Sequence, residues 1–361
     1  MIHDYKLQPG QRVISGLGSL DRLPDVLQSL GRSRAVIMTG NTLATKTDLV
    51  EQVKSALGEL HAGTFAACKQ HVPSETVDAA LAFAKEAEAD CLVSFGGGSP
   101  IDTAKIVAHR ILEKSPREKF PQVAIPTTLS AGEYTGSAGM TDTKKRTKGG
   151  MRSWNVVPAA VILDPNVTTA TPTQLWAATG MKAVDHAVEA LWSPRAHPIT
   201  DLLASEALTK LNAHLAASLD PKAMAARMEC QFAAWMSIFG VTTAGMRLTH
   251  PMGHQIGARW NVPHGVTSCI TLPTIARFLK PTTEAAQQKI ATTLGASDAA
   301  IGLEALLDSL PVPRTLSELG VPREELRDCA EAISRELRRA GSPDAETATE
   351  DVLLALLEEM Y

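Results

Sequence analysis

The chain lacks the features that mark disulfide-stapled, thiolate-metal or membrane proteins. Its five cysteines, Cys68, Cys91, Cys230, Cys269 and Cys329, are odd in number and far apart, with no CxxC or CxxxC spacing. This excludes a disulfide framework and a cysteine metal site. No apolar run approaches the roughly 18 residues that a membrane span needs. The opening segment, MIHDYKLQPGQRV, is polar and has no apolar signal-peptide core, so a cytoplasmic protein is expected. An excess of positive charge is missing too. Lys and Arg number 35 against 39 Asp and Glu, a net charge of -4, whereas nucleic-acid binding needs a concentrated basic surface. Internal repeats and low-complexity tracts are absent.

What remains is ample material for a packed core. The 361 residues are 44% hydrophobic, and at about 150 residues per domain the length suggests two domains. Up to residue 165, short β-branched runs (34–39, 90–95, 123–126 and 160–164) alternate with helical stretches such as Thr76 to Ala87. That alternation predicts an α/β domain with a parallel sheet over residues 1–165. Helical patterns then dominate residues 166–361: 174–191, 199–219, 223–239, 283–294, 299–307, 324–338 and 345–359. The second domain is therefore expected to be all-helical. Gly149-Gly150, in the basic stretch from Lys144, reads as a loop or hairpin tip.

The run ending at Phe95 leads straight into Gly96-Gly97-Gly98-Ser99-Pro100-Ile101-Asp102-Thr103-Ala104-Lys105. Glycines let a backbone approach a ligand closely, Ser99 suits a helix cap, and Pro100 suits the first helical position. The helix N-terminus that follows favours a pyrophosphate. The pattern is neither GxGxxG nor a Walker loop, which disfavours ATP chemistry. A second loop, Pro126-Thr127-Thr128-Leu129-Ser130-Ala131-Gly132-Glu133, offers hydroxyls to a ribose or phosphate, and Lys148 offers a cation.

Histidines form the other cluster of chemistry-bearing residues. His250 and His254 are four apart, on one helical face, and His264 opens the next helical pattern. His186 sits in Gly180-Met-Lys-Ala-Val-Asp-His-Ala-Val-Glu-Ala. Imidazoles converging from helices suit a divalent metal. The HExxH reading fails, because Pro251 stands where the glutamate is needed.

Taken together, the glycine turn, the Pro126-Thr-Thr loop, Leu163-Asp-Pro165, Gly180-Met181 with His186 and Glu189, and His250-x3-His254-x9-His264-Gly265 resemble the iron-containing (group III) alcohol dehydrogenase family. The resemblance runs from about residue 10 to 280. It implies an N-terminal dinucleotide-binding domain, a helical C-terminal domain, and an active site in the cleft between them. It also implies NAD or NADP contacts from Gly97, Gly98, Ser99, Asp102, Thr127, Thr128 and Lys148. By the same resemblance His186, His250 and His264 are ligands to zinc or iron, His254 lies near the nicotinamide, and the chain is a homodimer acting on a small carbonyl or alcohol. Family members that select NAD often place an acid at the end of the first strand. Here Thr39-Gly40-Asn41 has none, which leaves Gly40 and Asn41 room for the phosphate of NADP.

One position departs from the metal-dependent pattern. Those members carry an aspartate ligand four residues before the first histidine, and here that residue is Lys182. An ammonium 4 Å from a dication repels it by roughly 8 kcal/mol at an effective dielectric near 20. Asp185 points about 100° away around the helix from His186 and is a poor substitute. The chain is similar to the maleylacetate reductase branch, regarded as metal-free, whose threonine loop is short like the one ending at Glu133. Metal independence follows as the expectation, with Lys182 stabilising the developing oxyanion and a histidine of near-neutral pKa delivering the proton. The structural alternative for Lys182 is a salt bridge to Glu189 or Asp185. Arg247 and Arg259, with Arg152, are candidate partners for a substrate carboxylate. Two other readings keep the fold: a zinc or iron alcohol dehydrogenase, and a binding protein on a retired scaffold.

Overall fold

A computed structural model describes residues 11–114, 120–143 and 147–361, with the side chains of Asp142, Thr147 and Lys148 outside the described set. The opening segment 1–10 and residues 144–146 of the basic loop also lie outside it. The chain forms two compact units that meet in sequence at Thr171/Pro172. Residues 165–171 stay with the first unit, where the Thr171 hydroxyl donates to the Thr127 carbonyl.

In the first unit the strands are β1 (Arg12–Ser15), β2 (Ala35–Gly40), β3 (His61–Cys68), β4 (Cys91–Gly96), β5 (Gln122–Pro126), β6 (Ser137–Asp142), β7 (Thr147–Arg152) and β8 (Ala160–Leu163). The helices are α1 (Leu23–Ser29), α2 (Asn41–Lys46), α3 (Leu49–Leu57), α4 (Ser74–Glu86) and α5 (Gly98–Lys114). Six strands make one parallel sheet in the order β1-β8-β5-β4-β2-β3. Side chains alternate across it: Ala35, Ile37, Cys91, Val93 and Phe95 enter one core with residues of α1 and α3. Val36, Met38 and Leu92 enter a second core with residues of α4 and α5. Both faces are covered, which is why these strands read as continuous apolar runs.

The order reverses between β2 and β4, and a ligand of such a sheet binds beyond the carboxyl ends of the strands at that switch point. The remaining strands, β6 and β7, form an antiparallel hairpin. Gly149 and Gly150 lie inside β7 rather than at the hairpin tip. A Cβ on Gly150 would meet the Ala138 carbonyl oxygen at 2.8 Å, so close pairing with β6 requires glycine there.

The second unit is helical: α6 (Thr173–Trp192), α7 (Pro198–His214), α8 (Met224–Ala244), α9 (Thr249–Trp260), α10 (His264–Leu279), α11 (Glu284–Leu294), α12 (Ala299–Asp308), α13 (Leu326–Ala340) and α14 (Glu350–Glu359). Every residue of α6 from Trp176 to Trp192 is buried, because α7, α8 and α10 surround it. By contrast, α13 buries Leu326, Cys329, Ala330, Ile333 and Leu337 along a single stripe. The helix expected from Ala345 starts at Glu350, where the Thr349 hydroxyl caps the Val352 N–H. Residues Glu284–Asp308 have the average apolarity of a membrane-crossing segment. They fold as two helices instead, broken by Gly295 in the left-handed region and restarted by the Asp298 cap.

Candidate active site

In the first unit, β4 ends in Gly96 at φ +138°, a conformation that favours glycine. The helix α5 starts at Gly98, so Ser99 lies within its first turn and is not the cap, and Pro100 is the third helical residue. Proline is tolerated there because that N–H has no intrahelical partner. The neighbouring β5 exits alongside, with the Thr127 N–H donating to the Gly96 carbonyl over 2.9 Å. A Cβ on Gly97 would meet Thr128 Cγ2 at 3.1 Å, so the threonine loop packs directly on the glycine turn. Gly40 and Asn41 lie at the end of β2, across the switch point from that turn. Asp102 has partners within this unit. Its Oδ2 accepts from the Gly139 N–H at 3.1 Å, and its Oδ1 lies 3.8 Å from Lys105 Nζ. Fully buried, Lys105 donates to the carbonyls of Gly132 and Ser137. These contacts lock α5 to the threonine loop and β6, a role that the bare motif does not reveal. The backbone of Lys148 runs in β7, and its side chain lies outside the described residues.

In the second unit, three imidazoles converge. The His250 ring lies 4.5 Å from that of His254 and 5.2 Å from that of His264, and the His254 and His264 rings stack at 5.6 Å. Helical spacing brings His250 and His254 together on α9. His264 joins them because Gly265 seats the start of α10 against α6: a Cβ there would meet the Ala178 carbonyl oxygen at 2.6 Å.

Lys182 is buried on α6. Its Nζ donates to Asp185 Oδ2 at 2.7 Å and lies 3.3 Å from His250 Nδ1. Asp185 also accepts from the hydroxyls of Thr249 and Ser268, at 2.6 and 2.7 Å. Burial pushes the Asp185 carboxyl up, but the Lys182 ammonium and these hydrogen bonds win and hold it below its usual range. Burial, then the Lys182 charge, pushes His186 down to about 3 and His250 well below its ordinary value. Both shifts favour the neutral imidazole. The ring of His186 lies outside the convergent trio.

The half-exposed His254 puts Nδ1 3.1 Å from Glu336 Oε1 on α13, and Gln255 Nε2 donates to Glu336 Oε2 at 2.6 Å. Glu336, Thr249 and Ser268 are neighbours of the candidate site residues that sequence reasoning missed. Glu336 is 82 residues from His254, and no local pattern marks it.

Two of the three candidate carboxylate binders, Arg247 and Arg259, have acidic partners within the chain. Arg247 is buried, in a two-pronged ion pair with Asp344, and its remaining nitrogen donates to the Trp192 carbonyl. Arg259 lies 3.9 Å from Glu325 and 3.8 Å from Asp328. Arg152 is exposed at the end of β7.

Two family models account for almost the whole chain. Iron-containing alcohol dehydrogenase matches residues 10–165, and the C-terminal model of the Fe-containing alcohol dehydrogenase family matches residues 176–361. The chain belongs to the iron-containing alcohol dehydrogenase family and is an oxidoreductase. Within the family it falls in the maleylacetate reductase-like branch. It is 32% identical over 320 residues to maleylacetate reductase of Sphingobium indicum, spanning 88% of this chain and 87% of that protein. With maleylacetate reductase 2 of Cupriavidus pinatubonensis it shares 35% identity over 326 residues, 89% of this chain and 87% of the relative. The solved maleylacetate reductase of Agrobacterium tumefaciens superposes with a TM-score of 0.88 at 27% identity, covering 100% of this chain and 98% of that one.

The family name raises the question of a metal, and the residues present do not fit the family's ligand set. Lys182, which the sequence resemblance assigns to the position of the anionic ligand, has its ammonium 3.3 Å from His250 Nδ1. His186 is not among the histidines whose nitrogens come together; those are His250, His254 and His264, within 4.8 Å of one another.

Proposed function

We propose that the chain reduces a small carboxylate-bearing carbonyl compound of the maleylacetate type with NAD(P)H, without a metal, using Lys182 and His250. The observation that carries this reading is the contact between Lys182 Nζ and His250 Nδ1. An ammonium only donates, so Nδ1 is the acceptor and the His250 proton sits on Nε2. That Nε2–H is the donor to the carbonyl oxygen. NAD(P)H, when bound, would supply the hydride, to the carbonyl carbon of a simple ketone or aldehyde or to the conjugated alkene carbon of an enone such as maleylacetate, and in both cases negative charge develops on the carbonyl oxygen. As charge grows on oxygen, the neutral imidazole donates its proton and the Lys182 ammonium behind it passes one to Nδ1, doing by charge what a Lewis acid does elsewhere. Asp185 fixes Lys182 for this task. His254, with its Nδ1–H directed to Glu336, is held beside His250 to orient the substrate. Cofactor binding falls to Gly97, Gly98, Ser99, Thr127 and Thr128, with Gly40 and Asn41 admitting the NADP phosphate because β2 ends without an acid.

Maleylacetate and a panel of short ketones and aldehydes, assayed with NADH and NADPH in the presence and absence of a chelator, test the proposal. Reduction of maleylacetate that is indifferent to chelator is the expected result, and turnover restored only by a divalent ion overturns it. The convergence of His250, His254 and His264 favours one second reading, a zinc ion on these three imidazoles, and the chelator arm separates the two.

A further inference from the structure

Asp185 and Glu189, one turn apart on α6, both reach the hydroxyl of Thr249. Its Oγ is 2.6 Å from Asp185 Oδ1 and in hydrogen-bond contact with Glu189 Oε1. A hydroxyl owns a single proton. It donates to one carboxyl and must accept from the other, and an ionised carboxylate has nothing to donate. One of the two carboxyls therefore carries a proton. Asp185 is the ionised one, because Lys182 Nζ and Ser268 Oγ both donate to its Oδ2.

Charge counting gives the same answer independently. Around Thr249 the buried charged groups are Lys182 and Arg247 as cations and Asp185, Glu189 and Asp344 as carboxyls; Arg227, a further buried cation of this unit, lies over the Trp176 ring and donates to the Ser218 carbonyl. Arg247 is matched by Asp344 and Lys182 by Asp185. An ionised Glu189 would be an uncompensated buried charge, which is strongly unfavourable. Burial, then the neighbouring Asp185 charge, pushes the Glu189 carboxyl up to about 7, in the direction that the geometry requires.

We propose that Glu189 is held as a neutral carboxylic acid and serves as a positioning residue for Lys182. Its O–H donates to Thr249, Thr249 donates to Asp185 Oδ1, and Asp185 keeps Oδ2 for the ammonium that faces His250. The same carboxyl accepts from the backbone N–H groups of Arg247 and Thr249, at the entry to the helix that carries His250 and His254. Other charged or titratable groups around it are Lys182 and His186 on its own helix and Asp344 behind Arg247. The inference rests on the assignment of Lys182 to the chemistry, and its test is separable from that assignment.

Infrared spectra of the full chain in H2O and D2O, native against Glu189→Gln, read the proton directly. The expected difference spectrum holds a deuterium-sensitive C=O band of a protonated carboxyl that the variant lacks; its absence overturns the proposal even if Lys182→Met abolishes turnover. In kinetics, Glu189→Leu is expected to lower kcat about 100-fold with the KM for cofactor unchanged, and Glu189→Gln, a mimic of the neutral acid, to recover all but about fivefold of it. Equal losses in the two variants would mean that an anion is required and the proposal is wrong. If the leucine variant does not fold, the infrared comparison decides alone.

Discussion

Lys182 is buried, and its neighbours hold its side chain in one place. Asp185 holds it at 2.7 Å, and two hydroxyls hold Asp185 in turn. Of the structural alternatives open to it from sequence, the salt bridge to Asp185 is the one formed, and it coexists with the contact to His250. Lys182→Met is therefore expected to reduce kcat by about 10²–10³, the range for removing one donor to a developing oxyanion. Cofactor affinity, followed by nicotinamide fluorescence, should stay unchanged, and a variant with native turnover would remove Lys182 from the chemistry. A second residue-level expectation concerns cofactor choice at the end of β2. A Cβ on Gly40 has ordinary contact, 3.6 Å to the Cys68 carbonyl oxygen, so an aspartate can be placed there without strain. Gly40→Asp should lower kcat/KM with NADPH relative to NADH by at least about tenfold, since the carboxylate binds a ribose diol and repels a 2′-phosphate.

At the level of elements, the site depends on how closely α10 approaches α6. With 2.6 Å from a Cβ at 265 to the Ala178 carbonyl oxygen, Gly265→Ala forces the start of α10 outward, and His264 with it. Denaturant unfolding is expected to show a loss of about 1–3 kcal/mol, the scale of overpacking, together with a lowered kcat. Native stability in that variant would mean that the two helices are free to part. The short hinge between α9 and α10 (Asn261 in the left-handed region, then Val262 and Pro263) makes the three imidazoles neighbours although they come from two helices. Spacing within α9 told of His250 and His254. Nothing in the chain order told of Glu336 on α13, because a carboxylate supporting an imidazole needs proximity and no particular separation.

For the molecule as a whole, stability should carry the signature of carboxyls buried without full compensation. Burial pushes Glu133, in the first unit, up to about 7 from an ordinary 4.5. Its Oε2 has no hydrogen-bond partner among the described residues. A raised carboxyl contributes stability that is fully present below the unfolded pKa and is lost as pH rises through the folded value. Native protein should therefore lose unfolding free energy between about pH 4.5 and 7, and Glu133→Gln should flatten that slope in urea titrations across the window. An unchanged slope would place the carboxyl in water.

Sequence alone determined the parts whose physics is local. Apolar runs of strand length separated by amphipathic stretches dictate a covered parallel sheet, three glycines before a helix dictate a close-approach turn, and four-residue spacing puts two imidazoles on one face. The class of protein was legible in those motifs taken jointly. Tertiary structure decided everything that depends on a partner distant in the chain. It spent Arg247 on Asp344 and turned Asp102 toward the hairpin. It left His186 outside the histidine trio and set one hydroxyl between two carboxyls. A side chain's type states what it is able to donate or accept, whereas burial and neighbours decide which of those capacities is left over for chemistry.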